Sequence, residues 1–319
     1  MRINESVISE PLVSILIPTY NREKLIGETI ESAINQTYKH IEIIVVDNKS
    51  TDKTWEIITK YSRKDQRIKV YQNEKNIGPV RNWKKCLEYA QGEYAKFLWS
   101  DDLIAPEFIE KALPYLINNP EVGFVFTGTE IFNDENNKKI KAYFIGETGL
   151  YPMEKFVESA LLGEPFSVPV SPGCALFRKN DLHKNTIEQI PNGIGIDFAM
   201  RAIGNDLLIY LLTANEYPEF AFINEVLSFF RAHKESITIS SNQMDLDFFY
   251  LLAKAYFVTN YIKDKNLYRK FNTIFLISIL RKINKNSFNY VVKNMDLRID
   301  FGFLLKKIIK KVSKGLNLK

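Results

Sequence analysis

The first 130 residues of the chain alternate short apolar runs with segments of helical periodicity. The runs "LVSILIP" (12–18) and "IEIIVVD" (41–47) are apolar on both faces, as strands are when helices cover a parallel sheet on both sides. Between them, apolar residues recur at helical spacing and predict an amphipathic helix. The pattern repeats through "IKVYQ" (68–72) and "YAKFLW" (94–99). It therefore predicts an α/β layer with four strands and three helical crossovers.

The pattern changes after the fourth strand, where the elements become shorter and mixed. An apolar run at 122–132 predicts a further strand, and the C-terminal part of the chain has helical, aromatic-rich periodicity. We predict one α/β domain over residues 1–240, in two parts at about 12–104 and 105–240. A helical C-terminal extension is expected over residues 241–319.

The composition indicates a soluble globular protein, with 45% hydrophobic and 25% charged residues among 319. Because we find no apolar run of about 20 residues and no secretory signal pattern, we expect a cytoplasmic protein. Cys86 and Cys174 lie in separate segments without CxxC spacing, which argues against a disulfide framework or a zinc site. The net charge of +5 is modest and unevenly placed, so no nucleic acid is predicted as a partner.

Polar residues gather where three of the predicted strands end. The first strand runs into "PTYNR" (18–22), the second into "DNKS" (47–50) and the fourth into "SDD" (100–102). Ordinary turn chemistry explains any one of these junctions. In an open parallel sheet, however, the carboxyl ends of the strands share one edge, and ligands bind there. The three junctions together therefore predict a binding site.

Asp101 and Asp102 place two like charges side by side at a strand end. A divalent metal, Mn²⁺ or Mg²⁺, resolves this repulsion and completes its shell with water and phosphate oxygens. The pair therefore predicts a metal with a diphosphate; the alternative is that one acid caps the helix predicted to begin near Pro106. Neither a P-loop nor a GxGxxG motif occurs, which excludes those phosphate sites and disfavours nucleotidyl transfer.

The motifs taken in order resemble the inverting family-2 glycosyltransferases. "VSILIPTYNREKLIGETIESAINQTYKHIEIIVVDNKSTDKT" resembles the family's opening, and "NIGPVRNWKKCLEYAQGEYAKFLWSDD" resembles its second block. With a later segment the resemblance covers roughly residues 12–240. It implies a GT-A fold, a Rossmann-like mixed sheet flanked by helices, with the donor in the first part and the acceptor in the second. The implied donor is a nucleotide-diphosphate sugar, expected to be UDP-linked, and the implied transfer is of the hexosyl or hexosaminyl type.

The resemblance also implies roles for individual residues. Thr19 and Tyr20 would contact the base and ribose, Asp47 the pyrimidine edge, and Arg81 would lie near the donor. Asn48 and Trp99 depart from the family, which commonly has acids at these positions, so the metal depends on Asp101 and Asp102, with His233 as a further ligand. The full expected donor set is Pro18, Thr19, Tyr20, Arg22, Asp47, Asn76, Gly78, Arg81, Ser100 and Asp101.

Inverting transfer needs one carboxylate as a base that deprotonates the acceptor hydroxyl. Asp197 in "GIGIDFAMR" and Asp206 in "IGNDLLIYLL" are the candidates. The family places its base in an acidic pair about 25 residues before a segment like "FFRAHKESIT", and Asp206 has that spacing to Arg231. Asp206 is therefore preferred, although Asn205 replaces the preceding acid, and Asp197 is the second choice.

The segment "FGFLLKKIIKKVSKGLNLK" (301–319) predicts a basic amphipathic helix, with five lysines between residues 306 and 314. Such a helix lies at an anionic membrane surface; the alternative is that it packs on the protein with its lysines in water. We therefore expect a peripheral enzyme at the inner face of the cytoplasmic membrane, which acts on a saccharide acceptor such as a lipid-linked glycan of bacterial surface polysaccharide synthesis. The competing hypothesis is a catalytically silent nucleotide-sugar-binding or scaffold protein of a glycan-assembly complex. The apolar positions on one side of the helix are Phe301, Leu304, Leu305, Ile308, Val312 and Leu316.

Overall fold

The N-terminal part of the chain forms the predicted alternation of strands and helices. The structure is a computed structural model and describes residues 10–192, 195–236, 243–282, 299–305 and 307. Four strands and three crossover helices follow one another as predicted. Their bounds are β1 (Val13–Thr19), α1 (Ile26–Ile34), β2 (Ile41–Asp47), α2 (Thr54–Ser62), β3 (Ile68–Gln72), α3 (Pro79–Tyr89) and β4 (Tyr94–Phe97).

The second part mixes strands and helices of varied length, and two single-turn 3₁₀ helices lie at Pro172–Cys174 and Phe198–Met200. The remaining elements are β5 (Leu103–Ile104), α4 (Phe108–Asn118), β6 (Val122–Asn133), β7 (Lys138–Ala142), β8 (Gly149–Pro152), α5 (Met153–Leu162), β9 (Ala175–Arg178), α6 (Lys179–Asn185), α7 (Asn205–Ala214), β10 (Glu219–Arg231), α8 (Gln243–Tyr261) and α9 (Lys265–Lys282).

All described strands join one mixed sheet in the order β3-β2-β1-β4-β9-β6-β10-β5, with β7 beside β6 and β8 beside β10. The strands β3, β2, β1 and β4 run parallel to one another, whereas β9 runs antiparallel to both β4 and β6. Register aligns the ends of the first three strands: Thr19 pairs with Asp47, and Asp47 pairs with Gln72. The polar residues after these strands therefore meet at one edge.

Helices cover both faces of the sheet, and this explains the continuous apolar runs of β1 and β2. Every residue of these two strands is buried. Successive side chains point to opposite faces, so Ile15 and Ile17 pack with α1 and α4 while Leu16 packs with α3. The predicted mixed sheet flanked by helices is confirmed.

The C-terminal helices α8 and α9 pack against the helical layer on the α3 side of the sheet. Helix α8 contacts α7, and α9 contacts α5 and α8. Apolar residues of both helices belong to the same core as the sheet. The predicted domain boundary near residue 240 lies outside the described residues. The buried contributors from α8 and α9 are Leu246, Phe249, Leu252, Ala253, Phe257, Val258, Phe271 and Phe275.

Gly204 allows α8 to approach the start of α7. Its φ is +93°, a conformation that L side chains rarely adopt. A Cβ there would lie 3.0 Å from the Cβ of Ala253 and 3.1 Å from the carbonyl oxygen of Phe249. The backbone angle and the narrow space both require glycine at this position.

We expect Gly204→Ala to lower the free energy of unfolding by more than about 2 kcal/mol, because backbone strain and crowding act together. Gly163→Ala is the matched control: Gly163 has a φ of +74°, but a Cβ there meets nothing within 4 Å. Its cost should be about 1 kcal/mol from left-handed backbone strain alone. Urea unfolding measures both, and equal losses would contradict the close approach of α8.

Candidate active site

The carboxyl ends of β1, β2 and β3 place Thr19, Asp47 and Gln72 side by side. Asp47 is fully buried and its oxygens accept hydrogen bonds from the backbone N–H of Ser50 at 3.2 Å and from Nε2 of Gln72 at 2.8 Å. The Ser50 hydroxyl also donates to Asp47. The hydroxyl of Thr19 is buried and has no hydrogen-bond partner among the described residues. Because buried polar groups are normally paired, this hydroxyl suits a ligand that supplies the partner.

Asn48, where the family commonly has an acid, holds the loop before α3. Its Oδ1 accepts hydrogen bonds from Asn73 Nδ2 and from the N–H of Ile77, both at 3.0 Å. Its Nδ2 donates to Oδ1 of Asn76 at 2.9 Å, and the same Asn76 oxygen accepts the N–H of Gly78. Asn76 must therefore present its oxygen, so its partner must be a donor. A carboxylate cannot donate, and this explains the amide at residue 48.

Gly78 begins α3 with a φ of +88°, in a region of backbone conformation that is essentially limited to glycine. A Cβ at Gly78 would lie 2.5 Å from Sδ of Met200 and 2.8 Å from the carbonyl oxygen of Ala199. The segment that approaches this glycine closely is thus part of the chain itself, the 3₁₀ turn at Phe198–Met200. That turn packs over the start of α3 and brings Asp197 beside Arg81.

Arg81 forms ion pairs with two acidic side chains. Its Nη2 lies 3.3 Å from Oδ2 of Asp197, and its Nε lies 3.4 Å from Oε2 of Glu188. Asp197 also accepts the N–H of Ala199 and so caps the 3₁₀ turn. Burial raises the pKa of Asp197, but hydrogen bonds from Gln189 and Arg81 outweigh it and hold that pKa below its ordinary value. An ion-paired carboxylate with a lowered pKa is a poor proton acceptor.

Asp101 receives two nitrogen groups from distant parts of the chain. Arg22 Nε lies 3.2 Å and His233 Nε2 lies 2.9 Å from the same oxygen, Oδ2. Burial raises the pKa of Asp101, but the His233 hydrogen bond and the Arg22 charge outweigh it, so the pKa lies below its usual range. The structure therefore brings three predicted site residues together at the end of β4.

Asp102 faces a different partner. Its Oδ1 accepts the backbone N–H of Arg231 at 2.9 Å, and the side chain is buried. Burial and the neighbouring charge of Asp101 raise the pKa of Asp102 well above its ordinary value. Neither acid caps the helix after it: α4 begins at Phe108, and both carboxylates are engaged elsewhere. The capping alternative is therefore wrong, and Asp102 anchors the end of β10 against the end of β4.

The donor set at Asp101 fits a metal that shares its coordination with a ligand. Among the described residues, no group of three or more His, Cys, Asp or Glu side chains forms a closed metal cluster. Asp101 and His233 nevertheless offer one carboxylate oxygen and one ring nitrogen 2.9 Å apart. Mg²⁺ typically takes one or two carboxylates and leaves further positions to water and substrate phosphates. A metal held here would depend on the phosphates for much of its shell.

Asp206 lies in the first turn of α7. Its Oδ1 accepts the N–H groups of Gly204 at 2.9 Å and Leu207 at 2.8 Å, and its Oδ2 accepts the Tyr250 hydroxyl at 2.7 Å. Burial raises the pKa of Asp206 to about 6, and these hydrogen bonds partly oppose the rise. Asn205 beside it is fully buried and donates to the carbonyl of Ile187 at 2.7 Å. Asn205, which stands in place of an acid, therefore has a structural role: it connects the start of α7 to the backbone at Ile187.

A short segment, Ser171–Cys174, connects the end of β4 to α7. Trp99 Nε1 donates to Ser171 Oγ at 2.8 Å, and the Tyr210 hydroxyl donates to the Ser171 carbonyl at 3.2 Å. The buried Lys96 donates to the Gly173 carbonyl, and burial lowers its pKa to about 7. Trp99 also stacks on Phe97, with ring centroids 5.3 Å apart. Trp99 thus acts as a structural link.

Sequence reasoning missed Tyr250 as the partner of Asp206, and it missed the contacts that Ser171–Cys174 makes with Trp99 and Tyr210. Tyr250 and Ser171 lie far along the chain from the residues that they contact, and Tyr250 stands in no motif. For the contacts of Ser171–Cys174 the sequence held one signal, Lys96, since a lysine within the apolar run "YAKFLW" is unusual for a buried strand.

The chain belongs to glycosyl transferase family 2. Residues 14–185, more than half of the chain, match the family model described as "Glycosyl transferase family 2". The resemblance seen in the sequence is therefore confirmed. Asp206, His233 and Tyr250 lie beyond the matched residues.

Two relatives illustrate the likeness. An uncharacterized glycosyltransferase of Haemophilus influenzae is 41% identical over 131 residues, which cover 41% of this chain and 52% of the relative. The putative teichuronic acid biosynthesis glycosyltransferase TuaG of Bacillus subtilis is 34% identical over 150 residues, 47% of this chain and 54% of the relative. The matched part spans about half the length of each relative.

Solved structures show the same fold. Residues 1–349 of Staphylococcus aureus TarS, in complex with UDP-GlcNAc, superpose with a TM-score of 0.64 over 88% of this chain and 75% of that chain, at 20% identity. The complex of the same protein with UDP gives a TM-score of 0.61 over 93% of this chain and 78% of that chain, also at 20% identity. The predicted GT-A fold is confirmed.

Proposed function

We propose that this protein transfers a sugar from a nucleotide-diphosphate sugar, UDP-linked, to a saccharide acceptor with inversion at the anomeric carbon. The observation that carries the proposal is the partly buried Asp206, which three hydrogen bonds fix at the start of α7 and whose pKa is raised to about 6. A base must be ionised at working pH and still accept a proton, and this carboxylate meets both needs. Family membership supplies the reaction class.

The donor is assigned to the edge formed by the ends of β1, β2 and β4. The hydroxyl of Thr19, which has no hydrogen-bond partner in the described part of the chain, suits a nucleoside, as do the fixed Asp47 and the exposed Tyr20. The guanidinium of Arg22 and the ring of His233, both at Asp101, suit a diphosphate. The UDP-GlcNAc and UDP complexes of TarS support this class of donor, since the two chains share the fold.

In the proposed reaction, Oδ2 of Asp206 accepts the proton of the acceptor hydroxyl. The acceptor oxygen bonds to the anomeric carbon as the bond from that carbon to the diphosphate oxygen breaks. Attack occurs on the face opposite the leaving group, so configuration inverts. The nucleoside diphosphate leaves with its charge stabilised by nearby cationic side chains. A divalent ion held by Asp101 and His233, Mn²⁺ or Mg²⁺, would further neutralise that charge.

Asp206→Asn should lower the rate of sugar transfer by about 10²–10⁴-fold, because the amide cannot accept the proton. UDP affinity, measured by calorimetry, should stay within about threefold of the wild type, since the change removes no proposed donor contact. Asp197→Asn is the matched control and should retain most activity. A panel of UDP-sugars supplies the substrates.

A different outcome would favour the silent binding protein. Wild-type protein that binds UDP but neither hydrolyses nor transfers from any UDP-sugar would contradict the enzymatic proposal. Loss of transfer in Asp197→Asn with retention in Asp206→Asn would move the base to Asp197.

The metal can be tested separately from catalysis. We expect Mn²⁺ to strengthen UDP binding by the wild type, and Asp101→Asn to reduce that strengthening by about tenfold or more because a carboxylate ligand is lost. Asp65→Asn is the control, since Asp65 pairs with Arg67 at 2.7 Å outside the site. Calorimetry with and without Mn²⁺ gives the effect, and UDP binding that Mn²⁺ leaves unchanged in the wild type would exclude this metal role.

We further propose that the C-terminal segment docks the enzyme on an anionic membrane that carries the acceptor, a lipid-linked glycan. The described residues 301–305 are helical, and Phe301 and Leu305 are 75% and 58% exposed. Five lysines between residues 306 and 314 favour anionic lipid. Of these, Lys307 lies 3.0 Å from Glu164, whereas residues 306 and 308–319 lie outside the described part.

Two further observations bear on the membrane proposal. No helix among the described residues is long and apolar enough to cross a membrane. TuaG, a relative, is named for teichuronic acid biosynthesis, which supports a surface-polysaccharide setting.

The double variant Phe301→Ser/Leu305→Ser should weaken binding to phosphatidylglycerol-containing vesicles by about tenfold or more, because two apolar side chains no longer enter the lipid. Ile140→Ser is the control, since Ile140 is 48% exposed on β7. Vesicle co-sedimentation measures both, with pure phosphatidylcholine vesicles as the uncharged comparison. Equal binding by the double variant and the wild type would refute docking through this segment.

A further inference from the structure

Tyr250 reaches the candidate base from a helix that lies beyond the residues matched by the family model. Its hydroxyl donates to Oδ2 of Asp206 at 2.7 Å. Tyr250 belongs to α8, whereas Asp206 lies in the first turn of α7, 44 residues earlier. We propose that Tyr250 is a positioning residue for Asp206, and that the C-terminal helices are thereby part of the active site. This inference rests on the proposed function.

The hydrogen bonds around Asp206 define which oxygen can act. Backbone N–H groups of Gly204 and Leu207 both donate to Oδ1, at 2.9 and 2.8 Å. Oδ2 receives the Tyr250 hydroxyl, and a carboxylate oxygen has two lone-pair sites. Oδ2 is therefore the oxygen that can take a proton from an acceptor, and Tyr250 fixes its direction. Without the phenol, the carboxylate is held from one side only.

Three phenols lie near Asp206. Tyr143, from the segment after β7, and Tyr210, from α7 itself, lie within electrostatic reach of its charge, as does Tyr250 from α8. Burial raises the pKa of Tyr250 well above its ordinary value, so the phenol stays protonated and donates throughout the working range. Among the influences that lower the pKa of Asp206, the Tyr250 hydrogen bond is the largest. Its loss would therefore disfavour the ionised base.

Residues before and after Tyr250 on α8 are tightly packed, and this packing fixes the position of Tyr250. Phe249 lies edge-on to Phe198, with ring centroids 5.8 Å apart. Ala253 lies against Gly204, where an added Cβ would come within 3.0 Å. Because Gly204 also donates to Asp206, one contact surface positions both the helix and the carboxylate. Docking of α8 is thus coupled to the geometry of the base.

The experiment compares the pH dependence of kcat for the wild type, Tyr250→Phe and Tyr217→Phe. Tyr217 is a matched control, because its hydroxyl donates to Oδ2 of Asp181 at the same 2.7 Å, on a helix outside the site. Tyr250→Phe keeps the ring and removes only the hydrogen bond. We expect its acid limb to move up by about one pH unit, which lowers kcat roughly fivefold near pH 6 and little above pH 8. Tyr217→Phe should follow the wild-type profile.

A second measurement separates this inference from the proposed function. Carboxyl ¹³C NMR with labelled aspartate follows the titration of Asp206 directly, assigned by the signal missing in Asp206→Asn. The titration midpoint of Asp206 could rise in Tyr250→Phe while the wild type turns over no sugar nucleotide. That pair of results would support the positioning of Asp206 and contradict the enzymatic proposal. An unchanged midpoint and an unchanged profile in Tyr250→Phe, in an active enzyme, would overturn the inference alone.

Discussion

Two adjacent carboxylates, the partly buried Asp101 and the buried Asp102, are the constraint on which the arrangement of the site depends. Like charges this close cannot both be ionised in a buried setting without counter-charges or donors. The chain supplies them from three places: Arg22 after β1, His233 after β10, and the backbone N–H of Arg231. These contacts join the ends of β1, β4 and β10. The parallel part and the mixed part of the sheet therefore meet at one acidic point.

The three departures from the family pattern share a physical explanation. Asn48 must donate to an asparagine oxygen, the Trp99 indole donates to Ser171, and Asn205 donates to the Ile187 carbonyl. A carboxylate could make none of these bonds, because it lacks a donor when ionised. At these positions the chain has hydrogen-bond donors that support loops. Asp101 and Asp206 are the acids proposed for metal binding and for catalysis, and they have different surroundings and pKa values shifted in opposite directions.

The region that matches the family model does not contain the whole candidate site, and the C-terminal helices contribute to the rest. The matched residues 14–185 contain the strand ends and Asp101, but neither the candidate base nor its phenol partner. Helix α8 supplies Tyr250 and packs on α7, so the strand ends of the candidate site and the candidate base are held by different parts of the chain. The Ser171–Cys174 segment connects them through Trp99 and Tyr210.

Local patterns in the sequence determined the strands β1 to β4, their crossover helices and the polar edge at the strand ends. Such patterns suffice because side-chain periodicity and turn chemistry act over a few residues. The family motifs indicated Asp101 and His233, and spacing to Arg231 indicated Asp206. Only the tertiary structure decided which partner each acid has: Arg22 and Asp101 are 79 residues apart, and Trp99 and Ser171 are 72. Contacts between residues so far apart in the chain depend on how helices and strands pack together. The residues around Tyr250 in the sequence therefore do not indicate which carboxylate its hydroxyl contacts.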